Sequence, residues 1–385
     1  MSILSTIDDD RRSLPLRRKI IEMNWGLVVV ICLVAGIGFA MLYSAAGGNI
    51  SPWASRQMIR FSAGLGVMLV IALIDIRFWL RYAYAFYAIG LALLISVEFF
   101  GVVGMGAQRW VDLGLFQLQP SEVMKVAIVL ALARYFHALS LDEVGQFRWL
   151  ILPTFLIVAP VTLVLRQPDL GTAILLGVVG FGIFFVVGVR LWKFAAAGAI
   201  ALGGLPIVWQ YLHDYQKARI LTFINPEQDP LGSGYHIMQS KIALGSGGVF
   251  GKGFLQGTQS HLDFLPEMRT DFIFTMLAEE FGMVGGLVLL ALYALLLAYG
   301  FAIALRARNH FGRIVALGVT GGFFLYVFIN IAMVMGLVPV VGVPLPLISY
   351  GGTSMMTLLV GFGLLMSVWI HRDVEIPRRP GFVGL

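Results

Sequence analysis

Ten apolar runs, each close to the length a helix needs to cross a bilayer and nearly free of charge, restrict what this chain can fold into. They lie at roughly 24–46, 58–76, 82–99, 121–137, 149–165, 170–188, 192–209, 272–304, 314–338 and 353–371. In hydrocarbon the backbone has no water to bond, so such runs must close their hydrogen bonds internally as helices. A chain of 385 residues could hold two or three soluble domains, yet 59% of it is hydrophobic and only 12% charged, about half the soluble share. The predicted fold class is an all-α polytopic membrane protein of about ten transmembrane helices with one large structured external loop. The eighth run is too long for one straight crossing. Gly282, Gly285 and Gly286 mark either a bend or the start of the spanning part after a short interfacial helix.

Basic residues set the orientation. Ten spans put both ends on one side. That side collects Arg11, Arg12, Arg17, Arg18, Lys19, Arg77, Arg81, Arg134, Arg148, Arg190, Lys193, Arg306, Arg308, Arg313, Arg372, Arg378 and Arg379, whereas the short opposite loops hold only Arg56, Arg60, Arg109 and Arg166. Both termini are therefore expected to be cytoplasmic, with the 210–270 loop external. The organisation is a cytoplasmic arm (1–23), a membrane domain (24–372) and a cytoplasmic tail (373–385). The net charge of +6 is then a positive-inside bias rather than a nucleic-acid footprint. Ser44-Ala45-Ala46 faintly imitates a signal-peptidase site, but the polar leader is too long for a signal peptide and the first span is expected to be retained. Cys32 is the single cysteine, which excludes an intramolecular disulfide.

The 210–270 loop is too rich in Phe, Leu, Ile and Tyr for a disordered tether. Turn punctuation at Asn225-Pro226, Asp229-Pro230 and Gly232/Gly234 brackets a stretch, Tyr235 to Leu244, long enough for a short interfacial helix. Its GSGGVFGKG segment, 245–253, invites a phosphate-loop reading and fails it. Ser246 stands where the first glycine belongs, and Gly253 occupies the Ser/Thr slot. Turns at the membrane face are the plain alternative to backbone N–H groups and Lys252 facing a phosphate.

Charge is scarce enough that each polar break counts. In HLDFLPEMRTDFIFTMLAEEF, 261–281, Asp271 sits where a polar segment meets an apolar run, with Glu267, Arg269, Glu279 and Glu280 nearby. A carboxylate at a membrane boundary costs free energy unless something local stabilises it, so this junction is the first candidate for chemistry; helix capping is the competing role. Pro120 fits a first helical turn, which places Glu122 and Lys125 at i, i+3 as a structural ion pair or a cavity wall. Ser121 and Lys125 are four apart, so the Ser-x-x-Lys nucleophile motif is absent there. Asp169, after Pro168, is a helix cap or a site residue. The Pro/Gly-dense yet apolar stretch 338–354 suggests a broken segment buried in protein, with Ser349, Thr353 and Ser354 able to bond its freed backbone.

Several of these motifs fall in a distinctive order: Gln108-Arg109-Trp110; Gln119-Pro120-Ser121-Glu122 with Lys125; Gln167-Pro168-Asp169-Leu170-Gly171-Thr172; Tyr235 through Gln239-Ser240; Gly245-Ser246-Gly247-Gly248; Gly251-Lys252-Gly253; Thr270-Asp271-Phe272-Ile273-Phe274; and Ser349-Tyr350-Gly351-Gly352-Thr353-Ser354. Together they resemble the bacterial SEDS family (shape, elongation, division, sporulation) over roughly 24–372. The compact N-terminus and the LPEMRTDFIF wording lean toward its elongation members. Arg269 stands where the family usually has a histidine-like residue.

The resemblance implies a peptidoglycan glycosyltransferase that polymerises lipid II, a polyprenyl diphosphate-linked disaccharide peptide, on the outer face of the bacterial cytoplasmic membrane. It also implies a class B penicillin-binding protein and the elongation machinery as partners, and membrane lipid but no nucleic acid. Carried onto this chain, Asp271 is the base for the attacking hydroxyl. Arg109, Glu122, Lys125, Asp169, Lys241 and Lys252 are the substrate-binding candidates. Side-chain cations or a divalent ion such as Mg2+ or Mn2+ would offset the leaving diphosphate. A lipid II flippase, a division-type polymerase, a secondary transporter and a pure scaffold are the rival readings. A flippase needs a polar path through the whole bilayer, and a transporter usually shows an inverted repeat and midplane charges, which are not evident here.

Overall fold

A computed structural model describes residues 15–104, 107–112, 114, 117–211, 217–218, 221–223, 225, 233–258 and 268–377. Each of the ten apolar runs contains a helix. After a short α1 (Leu16–Ile21) come α2 (Trp25–Ala45), α3 (Trp53–Leu73) and α4 (Ile76–Phe100). A small antiparallel sheet of β1 (Val102–Gly104), β2 (Ala107–Asp112) and β3 (Gln117–Leu118) leads into α5 (Pro120–His137). A single turn, α6 (Leu141–Val144), precedes α7 (Arg148–Arg166), α8 (Leu170–Val187) and α9 (Leu191–Tyr211). The described part of the long loop contains α10 (Ser233–Ser246), where the sequence places a short interfacial helix. The chain then runs through α11 (Ile273–Arg306), α12 (His310–Val334) and α13 (Gly352–Ile370).

Eight of the ten, namely α2, α3, α4, α7, α8, α11, α12 and α13, are long and apolar enough to cross a membrane. The apolar part of α9 is shorter, Leu191–Gly204. The remaining helix, α5, carries Glu122, Lys125 and Arg134, and it can do so because it is the central one. Its two charges Glu122 and Lys125 are buried together with Met124, Ile128, Leu130 and Leu132. Burial in protein rather than lipid lets those charges be paired.

Helix α11 shows how the long eighth run is accommodated. Thirty-four residues at ~1.5 Å rise would overshoot a ~30 Å hydrocarbon core. The helix breaks at Gly282, whose φ of 65° and ψ of −161° no helical residue adopts. The glycine-rich segment after α10 docks against this break through its backbone. Met283 and Val284 donate to the carbonyls of Gly248 and Val249 at 3.0 and 3.1 Å, and Lys252 and Gly253 donate to those of Glu279 and Glu280 at 3.0 Å each. A Cβ at Gly251 would sit 2.1 Å from the Glu280 carbonyl oxygen. These glycines permit close backbone contact, and the Lys252 and Gly253 N–H groups are engaged in it, so the segment is a docked element rather than a loose turn.

The small sheet was not anticipated. Val102–Leu118 has too few residues per strand, and too much glycine, to announce a hairpin. Its function in the fold is nonetheless specific, because it holds Arg109 over the start of α8.

Candidate active site

The first layer of the site is the turn before α11. Phe272 is the N-cap residue, and its phenyl ring can supply no capping hydrogen bond. The Asp271 segment is gripped by its backbone. Asn330 of α12 donates through Nδ2 to the Asp271 carbonyl at 2.9 Å and to the Val343 carbonyl at 2.7 Å. Ser349 donates through Oγ to the Thr270 carbonyl at 2.5 Å and accepts from the Leu345 N–H at 2.7 Å. The Tyr350 N–H donates to the Arg269 carbonyl at 2.8 Å. Asp271 itself is half-buried, and its Oδ2 would lie 3.4 Å from a Cβ placed on Gly342. The broken 335–351 segment therefore folds over the Asp271 turn, and Ser349 supplies the hydroxyl its composition led one to expect.

One helical turn away lies the second layer. Tyr326 and Asn330 are i, i+4 on α12 and share a face. Tyr326 donates through its hydroxyl to both Glu122 oxygens at 3.1 Å each, while Lys125 Nζ contacts Glu122 Oε1 at 2.6 Å and sits 4.4 Å from the Tyr326 ring centroid. The pair is buried on both sides and lines a cavity of about 70 Å³ together with Val126, Val129, Ser349 and Ser354. A single helix face thus joins the Glu122–Lys125 pair to the backbone of Asp271.

The third layer is the Asp169 corner. Asp169 caps α8, accepting from the Thr172 N–H at 3.2 Å and from its hydroxyl at 2.9 Å. Arg109 reaches in from β2, donating to the Gln167 carbonyl at 3.4 Å and to the Pro168 carbonyl, with Nε 3.8 Å from Asp169 Oδ2. Gly171, the second residue of α8, abuts the Val341 carbonyl closely enough that a Cβ would lie 2.6 Å from it. Val341 precedes Gly342, so this corner is continuous with the Asp271 turn.

The two remaining lysines lie apart from this set. Lys252 Nζ pairs with the fully buried Glu279 at 2.7 Å and contacts Thr258 at 2.8 Å. Lys241 is exposed on α10. Tyr326 and Asn330 are polar residues of this layered arrangement that sequence reading passed over. Their signal was present as isolated polar residues four apart in an apolar run.

The order of these motifs on a ten-helix frame is matched in known proteins. The sequence profile of the cell cycle protein family of FtsW, RodA and SpoVE matches residues 20–374. The chain belongs to this family, the SEDS family. Among its relatives, the peptidoglycan glycosyltransferase MrdB of Escherichia coli strain K12 is 47% identical over 359 residues, covering 92% of this chain and 95% of that protein. The stage V sporulation protein E of Bacillus subtilis is 36% identical, covering 89% and 95%. The fold of this SEDS protein is shared by a chain from a peptidoglycan synthase complex that coordinates polymerization and crosslinking, at a TM-score of 0.79 and 33% identity over 91% of this chain and 98% of that one. It is also shared by Thermus thermophilus RodA, at 0.68 and 32% over 91% and 97%.

Proposed function

We infer that this SEDS protein is a peptidoglycan glycosyltransferase that polymerises lipid II at the outer face of the cytoplasmic membrane during cell elongation, with Asp271 as general base. The observation that carries the activity is the 47% identity to MrdB over nearly the whole of both chains. The residue assignment is supported by the backbone grip of Asn330 and Ser349, which holds the half-buried Asp271 at the turn before α11.

In the proposed step the acceptor sugar 4-hydroxyl attacks the anomeric carbon of the donor. The new C–O bond forms as the bond from that carbon to the polyprenyl diphosphate breaks. Asp271 takes the hydroxyl proton, and the electron pair leaves on the diphosphate. One base suffices, and no covalent nucleophile is required. A divalent cation such as Mg2+ or Mn2+ would add charge at the leaving group. Among the described residues no group of three His, Cys, Asp or Glu is gathered for one, so such an ion would draw most of its ligands from the diphosphate itself.

The flippase reading is less well supported. Below the Glu122–Lys125 pair the cavity wall passes to Val126, Val129, Val179, Phe323 and Leu358. Of the described residues lining this cavity, only Glu122 and Lys125 are charged, so it offers no charged path onward. A class B penicillin-binding protein is the proposed partner, in keeping with the similarity to a chain from a peptidoglycan synthase complex.

Asp271→Asn tests the assignment. It preserves size and hydrogen-bonding shape but removes the base, so glycan chains made by purified protein with its partner, resolved on a gel, should fall by ~10²–10⁴-fold while expression and partner binding are kept. Near-wild-type chains from the variant would sink it.

A further inference from the structure

The cations nominated from the sequence are nearly all compensated: Lys125 by Glu122, Lys252 by Glu279 and Arg109 by Asp169. Two others are not. Arg60 of α3 and Arg269, two residues before Asp271, have no carboxylate partner among the described residues. Both are held in place by aromatic rings. The Arg60 guanidinium lies 5.0 Å from the Tyr350 ring centroid, and that of Arg269 lies 4.9 Å from the Trp53 ring centroid.

The arrangement is organised by one face of α3. Trp53, Gln57 and Arg60 fall at i, i+4 and i+7. Trp53 meets Arg269, Gln57 donates through Nε2 to the Ser349 carbonyl at 2.9 Å, and Arg60 meets Tyr350. The Tyr350 N–H bonds the Arg269 carbonyl, so the two arginines bracket the same backbone junction that carries Asp271. Arg60 also lies against the first turn of α13: a Cβ on Gly352 would be 3.3 Å from its Nε. A cation at a helix N-terminus is unfavourable in isolation, since both ends of that contact are positive. Two half-buried, uncompensated guanidiniums beside a base at a membrane boundary leave room for one kind of ligand, an anion. Their planar forks suit phosphate oxygens two at a time, and the rings beneath them reduce the entropy lost on binding.

We propose that Arg60 and Arg269 form the seat for the diphosphate of the lipid-linked donor, in place of Arg109, Lys241 or Lys252. The assignment rests on the glycosyltransferase reading of the Asp271 site and adds where the leaving group is held. The seat places positive charge beside the carboxylate that receives the hydroxyl proton, so the two developing charges of the step are served from one junction.

Binding and turnover separate this seat from the reading it rests on. Full-length protein in nanodiscs would be titrated with a polyprenyl diphosphate and with the matching polyprenyl alcohol, using the change in tryptophan fluorescence. Wild type and Asp271→Asn should both prefer the diphosphate, and the Arg60→Gln/Arg269→Gln double variant should lose about 10–100-fold of diphosphate affinity with alcohol binding unchanged. Arg60→Lys/Arg269→Lys, which keeps charge but not the fork, should fall between and shows that the site still folds. Lys252→Gln should retain the preference. Diphosphate preference within twofold of wild type in the double glutamine variant, or its loss in Lys252→Gln instead, would overturn the seat. Polymerisation that survives in Asp271→Asn would instead overturn the catalytic reading, whatever the titrations give.

Discussion

Glu122 and Lys125 are an ion pair that water does not stabilise. Their 2.6 Å contact and the Tyr326 hydroxyl provide the only hydrogen bonds found for the Glu122 carboxylate among the described residues. Removing one partner of such a pair leaves a buried charge, at a cost of about 3–5 kcal/mol, whereas removing both together can be nearly neutral. Lys125→Ala should therefore lower the unfolding midpoint in detergent sharply, and Glu122→Gln/Lys125→Met should recover most of the loss. A double variant as unstable as Lys125→Ala alone would show that the pair has no mutual dependence. At this scale the sequence offered the Glu122–Lys125 pair and the Asp169 cap, and left open the contacts of Lys252 and Arg109. Asp169 caps α8, Lys252 neutralises Glu279, and Arg109 braces the Gln167–Asp169 turn. The last two of those roles depend on a partner from another part of the chain.

At the scale of elements, the break in α11 and the glycine-rich segment are one device. Gly251 at φ 81° lies against the Glu280 carbonyl, and Gly282 at φ 65° lies against the Gly251 N–H, where a Cβ would come within 2.3 Å. Backbone meets backbone there, so neither side can yield as a flexible side chain would. Gly251→Ala should lower thermal stability markedly and reduce the folded yield. Gly245→Ala, within α10 and with nothing within 4 Å of its Cβ position, should be neutral or slightly stabilising. Equal effects of the two, measured by size-exclusion after graded heating, would contradict the docking. The sequence showed a cluster of glycines and an overlong apolar run as separate peculiarities. Their 30-residue separation hid that one is the receptor for the other.

For the whole molecule, the orientation proposed from the basic residues is testable in a Cys32→Ala background, where the single native thiol is removed. Asp112 at the end of β2 and Asp142 in α6 are both exposed and lie on opposite sides of α5 in the chain. A cysteine at 112 should react with an impermeant thiol reagent on intact spheroplasts, and one at 142 only after permeabilisation. Labelling at 142 alone would invert the arrangement and place Asp271 on the cytoplasmic side.

The fold class, a helix within each apolar run, and the placing of Asp271, Glu122, Lys125 and Asp169 at polar breaks were legible in the sequence. They depend on local facts: run length, the scarcity of charge in an apolar chain and the order of short motifs. What only the tertiary structure decided is who faces whom. One face of α12 joins the Glu122 pair to the Asp271 turn, and one face of α3 sets Arg60 and Arg269 beside it. The same packing removes Lys252 from the list of available cations. A charge in a membrane protein takes its role from its partners, and here some of them, such as Tyr326 for Glu122, lie 204 residues away in the sequence.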